Sequence, residues 1–209
     1  LFPKADPAQL YRFGATAPHV QETASGATGF HVFLTVTGFD RAAANDRILT
    51  VTGTQANYIK GARWVTSSVA LFDSAVQHTF DADQGPARLV ARGEIANADY
   101  VLKLDVRTFE ARYDNGQDAA PTIVVEVYAA LNRTSNQTIA GDRSFKVSVT
   151  ASDNRVGAIV EAFDQAVAQV EAVGVVGDAA ALGVVARAAV EDVGAGVVGV
   201  DAQRVVARA

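Results

Sequence analysis

The alternation of apolar and polar side chains is clearest in the middle of the chain. Tyr100, Leu102, Leu104 and Val106 point one way while Lys103, Asp105 and Arg107 point the other, the period of two expected of a half-buried strand. The parity then slips, and Phe109, Ala111 and Tyr113 become the apolar set. One extra residue accounts for the slip, so a β-bulge is predicted near Arg107–Thr108. Asn115-Gly116 marks a turn. Ile123, Val125, Val127, Ala129 and Leu131 form the next strand, residues 132–138 turn again, and 139–150 make a third strand with Phe145, Val147 and Val149 on one face. These three strands are expected to form an antiparallel meander.

Upstream, Phe30, Val32, Leu34 and Val36 alternate with His31, Phe33 and Thr35, which predicts a strand over 30–36 ended by Gly38. Asp40 can cap a short turn through residue 44, and the β-branched run 48–52 reads as a strand closed by Gly53. Residues 10–13 and 88–92 suit short strands, and the Ala/Thr/Ser/Gly-rich stretch 15–29 suits a loop.

Two segments carry the helical period instead. Over 67–80, Val69, Phe72, Val76 and Phe80 recur at spacings of three and four, widened by Leu71 and Ala75, with Thr66 placed as N-cap. Over 155–173, Val156, Ile159, Val160, Phe163, Val167 and Val170 form one stripe with Glu161, Asp164 and Gln165 outside it, and Ser152 or Asp153 is placed to cap it. The pattern therefore predicts an α/β protein: a compact sandwich of a mixed β-sheet, its C-terminal part an antiparallel meander, with two main amphipathic helices. This domain is expected to span residues 1–173. Residues 174–209 are mostly Ala, Val and Gly with no aromatic residue, a composition unlike the rest, and are set apart as a C-terminal tail whose role the sequence leaves open.

Composition narrows the function. The 209 residues are 49% hydrophobic and 20% charged, with a formal net charge of −5, a globular balance. No Lys/Arg cluster supplies the basic face that phosphate binding requires, so nucleic acid is not an expected partner. Cysteine is absent, which removes disulfides, thiolate ligands and cysteine nucleophiles together. Methionine is absent too, even at position 1, so a removed leader or a trimmed chain is expected. No uncharged apolar run approaches the roughly 20 residues of a membrane helix.

Candidate chemistry is sparse. Residues 194–199 spell Gly-Ala-Gly-Val-Val-Gly, but only ten residues follow, too few for the helix, second strand and acidic residue of a dinucleotide site. His19, His31 and His78 have no companion ligands at metal-binding spacing, and no serine sits in a nucleophile elbow. Asn132-Arg133-Thr134 and Asn136-Gln137-Thr138 match a glycosylation acceptor, yet both fall in a predicted turn where Asn and Thr are at home. No catalytic residue, cofactor-binding residue or metal ligand is therefore expected, and the protein is expected not to be an enzyme. The segment holding Tyr58, Arg63 and Trp64 is the candidate partner contact, because aromatic and Arg side chains anchor interfaces. The competing and preferred reading packs Trp64 beneath the first helix as core, with Tyr58 at its rim.

The order of short motifs carries a resemblance. Ile48-Leu49-Thr50-Val51 is followed by Tyr58, then Arg63-Trp64-Val65 and an amphipathic helix; after it come Asp99-Tyr100-Val101-Leu102, Phe109-Glu110, Val124-Val125-Glu126-Val127 and Val160-Glu161-Ala162-Phe163. Over residues 1–170 the chain resembles the ABC-type transport auxiliary lipoproteins, the PqiC-like (YmbA-like) family of Gram-negative bacteria. The resemblance implies an α/β sandwich without enzymatic activity, tethered in the periplasm to the outer membrane through an N-terminal lipid anchor on a cysteine that this sequence does not contain. It also implies partners, namely an MCE-type periplasmic protein and an ABC permease complex that move lipid between membranes, and it admits a homo-oligomer. The expected function is a non-enzymatic accessory component of such a system; the alternative is a stand-alone periplasmic carrier of lipid or a small ligand. The tail after 173 departs from the family pattern.

Overall fold

The computed structural model describes residues 7–14, 29–83 and 86–171. The 174–209 tail, the glycine motif at 194–199 and His19 lie outside the described residues. Among those described, nine strands and two α-helices form a mixed open sheet covered on one side. In chain order they are β1 (Gln9–Tyr11), β2 (Phe30–Leu34), β3 (Gly38–Phe39), β4 (Arg47–Thr52), β5 (Gln55–Trp64), α1 (Ser68–Ala82), β6 (Ala87–Leu89), β7 (Tyr100–Arg112), β8 (Thr122–Arg133), β9 (Ile139–Thr150) and α2 (Val156–Val170).

The 13-residue β7 is the spine. One of its edges takes three short strands in series, all parallel: β2 beside Tyr100–Leu102, β3 beside Asp105–Val106 and β4 beside Ala111–Arg112. The opposite edge takes β8 antiparallel along its whole length, and β9 follows antiparallel, which is the expected meander. Beyond β2 lies parallel β6; beyond β4 lies antiparallel β5, and beyond β5 lies parallel β1. The predicted bulge is present between Val106 and Thr108. It lets Val106 and Phe109 both face the core while Arg107 stays outside.

Both helices form where their periodicity placed them, but their ends differ from expectation. α1 is capped by Ser67, whose hydroxyl accepts the Ala70 N–H at 3.3 Å, and not by Thr66. Its buried face is Ser68, Phe72, Ala75, Val76, Thr79 and Phe80, leaving Val69 only half-buried. α2 starts at Val156 with Arg155 at the cap position and no side-chain cap bond. Asp153 pairs with Arg155 at 3.1 Å instead of capping the helix. β2 ends at Leu34, two residues before Val36, which is 70% exposed, and Gly38 opens β3 where it had been expected to end a strand.

The core is aromatic at its centre. The Phe163 ring of α2 lies 4.8 Å from Phe109 and 5.4 Å from Trp64, and Phe13 meets Trp64 at 5.0 Å, most of these pairs being edge-on, the geometry that ring quadrupoles favour. The segment behind β1 therefore enters the core between the helices. There Gly14 has φ +72°, and a Cβ on it would stand 2.5 Å from the Ala75 Cβ of α1. Its N–H donates to Asp164 Oδ1 of α2 at 2.6 Å. Only glycine meets both the left-handed backbone and the close approach.

Candidate contact surface on the β1–β5 edge

β5 brings the expected contact residues onto one strand and then separates them by burial. Its pairing with β4 runs from Thr52↔Gln55 to Leu49↔Tyr58 and then jumps to Arg47↔Arg63, so several extra residues bulge out of β5. Gly61, at φ +73°, lies in that bulge. Past the bulge the strand alternates, with Ala62 and Trp64 inward and Arg63 outward. Trp64 is 2% exposed and packed among Phe13, Phe109 and Phe163. It is a core residue, as the preferred reading had it, and offers no surface to a partner, so of the three candidate contact residues it drops out.

Tyr58 is half-buried and fully occupied. Its hydroxyl donates to the Ala42 carbonyl at 3.0 Å, and the Arg47 guanidinium sits 3.8 Å from its ring centroid. It ties the 40–46 turn to the sheet, as do the Trp64 N–H to Asp46 O bond and the paired Ser68 bonds to Asn45 O. Arg63 is exposed and bonds Asp46 Oδ2 through Nη1 at 2.8 Å.

The structure adds two residues that the sequence reading passed over. Leu10 of β1 stands directly beside Arg63, and Val65, whose N–H donates to Tyr11 O, extends the same outward row. Leu10 is 60% exposed and Val65 54%. The outer surface here is thus an Arg–Asp pair flanked by two apolar side chains, where the short edge strand β1 lies against β5. The signal available in sequence was the alternation Ala62, Arg63, Trp64, Val65, which sets Val65 on the side of Arg63.

Among the described residues no three His, Cys, Asp or Glu side chains cluster as a metal site. His31 lies 3.7 Å from Asp99, which also accepts the His31 backbone N–H. Asn136 Oδ1 accepts from the Thr138 N–H at 3.2 Å and hydroxyl at 2.7 Å, a side-chain-closed turn. An open cleft of about 240 Å3 beside α1 is lined by Asp73, Gln77 and Asp81 on one side and Leu34, Leu89 and Val90 on the other, a wall of mixed polar and apolar side chains.

One buried carboxyl is strongly perturbed. Glu171, the residue following α2, is 2% exposed, and burial pushes its pKa up to about 7; the Thr79 hydroxyl bond opposes that rise and the neighbouring Asp164 charge adds to it. Thr79 Oγ1 stands 3.1 Å from Ala75 O and 2.9 Å from Glu171 Oε2, yet a hydroxyl has one proton to give. A protonated Glu171 donates to Thr79, which in turn donates to Ala75, and both contacts are satisfied. An ionised Glu171 accepts the hydrogen bond of the Thr79 hydroxyl, which is then lost to Ala75 O, and leaves a charge buried with Oε1 lacking a hydrogen-bond partner.

The fold defines a class: an α/β domain whose two helices pack on a mixed sheet around an aromatic core. The family model described as "ABC-type transport auxiliary lipoprotein component" matches residues 11–172, and the chain belongs to that family. It is similar to protein XCC0632 from Xanthomonas campestris, with 28% identity and a TM-score of 0.70 over 84% of this chain and 97% of that one. A second solved structure, of an uncharacterized protein, shares the fold at 12% identity and a TM-score of 0.62, over 80% of this chain and 95% of that one. None of the curated proteins matches. Membership places the protein among transport auxiliary lipoproteins of the cell envelope.

Proposed function

We propose that this protein is a non-catalytic accessory subunit of an ABC-type, MCE-associated lipid transport system, held in the periplasm by a lipid anchor in the outer membrane. The observation that carries the reading is the family match over residues 11–172, which takes in nearly all of the described fold. The site geometry supports it. Arg63 with Asp46, bordered by Leu10 and Val65, offers a polar contact with an apolar rim on a sheet edge, a combination suited to docking and not to bond-making. The carrier alternative needs an enclosed apolar cavity, whereas among the described residues the clefts beside α1 and along α2 are both open to solvent.

Affinity capture from detergent-solubilised envelopes tests the reading. The ABC permease and an MCE-type protein are expected to copurify. Capture of neither, with the protein itself fractionating in the cytosol, overturns it.

A further inference from the structure

The Asn115-Gly116 pair between β7 and β8 is left by the fold with its reactive atoms free. Both residues are exposed. The backbone bonds of this turn run from Tyr113 N–H to Val51 O and from Ala119 N–H to Gly116 O. Neither the Asn115 side-chain amide nor the Gly116 N–H has a hydrogen-bond partner among the described residues. Gly116 has φ +98°, and nothing stands within 4 Å of where its Cβ would lie. Asn136 and Asn154, by contrast, are engaged. Asn136 Oδ1 accepts from the N–H and the hydroxyl of Thr138. Asn154 Oδ1 accepts the Tyr113 hydroxyl at 2.9 Å, and its Nδ2 donates to Gln117 O at 2.8 Å. Asn154 thus grips the turn on both sides of the Asn115-Gly116 pair.

We propose that Asn115 is a site of spontaneous covalent modification, in which the Gly116 amide nitrogen attacks the Asn115 side-chain carbonyl. The nitrogen gives up its proton and bonds Cγ, and the side-chain amide leaves as ammonia, closing a succinimide ring. Water then opens the ring. Attack at Cγ yields aspartate; attack at the main-chain carbonyl yields isoaspartate, whose backbone runs through Cβ and is one carbon longer. The step needs no catalyst or oxidant. It needs a nitrogen free of hydrogen bonds and a backbone able to swing it against the preceding side chain, a freedom that a Cβ at residue 116 would curtail. Either product sets a new carboxylate between Asp114 and Asp118, a change of charge in an exposed turn. The isoaspartate also lengthens the chain between Tyr113 and Gln117, the two points that Asn154 holds. It therefore loosens the tie between this turn and the segment that leads into α2.

Incubation of the purified chain at physiological temperature, followed by peptide mapping and enzymatic methylation of isoaspartate, tests the proposal. Asn115 is expected to convert about tenfold or more faster than Asn136 or Asn154, to a mixture of aspartate and isoaspartate. Conversion should be faster at pH 8 than at pH 6, because the attacking nitrogen must lose its proton. Gly116→Ala, whose Cβ meets open space in the fold, is expected to slow it about tenfold or more. Asn115→Asp supplies the charge without the longer backbone and separates the two effects. Hydrogen exchange of the Ala151 N–H, which donates to Pro121 O at 2.9 Å, reads the tie. Its protection is expected to fall about threefold or more in the isoaspartyl chain and to hold in Asn115→Asp. Equal conversion of Asn115, Asn136 and Asn154, an Asn115 that stays intact in the folded chain while the denatured chain converts, or Gly116→Ala converting as fast as wild type would each overturn the site. Unchanged Ala151 protection in the isoaspartyl chain would overturn its effect on the tie.

Discussion

Phe163 and Glu171 lie about two turns apart at the same buried face of α2 and its end, one 0% and the other 2% exposed. Phe163 sits within 5.4 Å of the Trp64 and Phe109 ring centroids and asks nothing of its surroundings but shape. Glu171 meets Thr79 through one oxygen and nothing through the other. Burial is equal, and its consequences are opposite. Removing an aromatic ring from water stabilises the fold at every pH, whereas a carboxyl buried at the end of the same helix is held at less cost while it carries a proton. The middle of α2 is a permanent attachment, and its end is a conditional one.

The contrast breaks most visibly at Phe163. Phe163→Ala empties a site with no room to collapse, between two rings and the sheet, and is expected to lower stability by about 3–5 kcal/mol. Chemical denaturation at pH 5 and pH 8 should give the same loss. A midpoint that does not move would remove Phe163 from the core, and a loss confined to one pH would erase the difference from Glu171.

Glu171 sharpens the comparison from the other side. Its pKa is raised from 4.5 to about 7 on folding, so between those values the folded state holds a proton that the unfolded chain releases. The fold is then unpenalised below pH 4.5, loses stability as pH rises from 4.5 towards 7, and carries the full penalty above 7, at most about 3 kcal/mol. In Glu171→Gln this slope should vanish while the rest of the pH profile is retained. Denaturation of wild type and variant across pH 4–8 measures it, and parallel profiles would show that Glu171 does not titrate in this window.

A smaller effect is expected where the N-terminal segment threads between the two helices. Gly14→Ala places a Cβ against Ala75 and strains a left-handed residue, costing about 2 kcal/mol. Gly61→Ala shares the backbone strain, but nothing stands within 4 Å of its added Cβ. It should therefore cost less than Gly14→Ala in the same thermal melt; equal losses would mean that the contact with Ala75 is not what fixes Gly14.

The parts of this fold written in local side-chain period were legible. The β7–β9 meander, the slip at Arg107 and the stripe of α2 each depend on neighbours two to four residues apart, and each is where the pattern placed it. β5 was not, because the bulge around Gly61 interrupts the alternation that would have announced a ten-residue strand. Caps were ambiguous for a different reason: Thr66 and Ser67 are adjacent hydroxyls, and the chain geometry, not residue type, decides which one meets a free N–H. The contact surface was least legible. Trp64 and Arg63 are one residue apart, and strand parity sends one to the core and one to solvent. Leu10 reaches Arg63 through a parallel pairing across more than fifty residues, which no local pattern records.

The smallest stability effect belongs to that surface, and it separates the two roles the segment carries. Arg63 and Asp46 have side chains 47% and 43% exposed, so their bond is screened by solvent and Arg63→Ala should cost under about 1 kcal/mol. Trp64→Ala, one residue away, should cost about 3–5 kcal/mol. Capture of envelope partners should respond in the reverse sense: Arg63→Ala, or Leu10→Asp with Val65→Asp, should reduce it in a protein whose melting temperature is nearly unchanged. Should Arg63→Ala melt as early as Trp64→Ala, the pair with Asp46 holds the 40–46 turn and is structural. Should capture persist in a stable Leu10→Asp/Val65→Asp/Arg63→Ala protein, the partner docks on another face, and the β1–β5 edge serves only to close the sheet over its aromatic core.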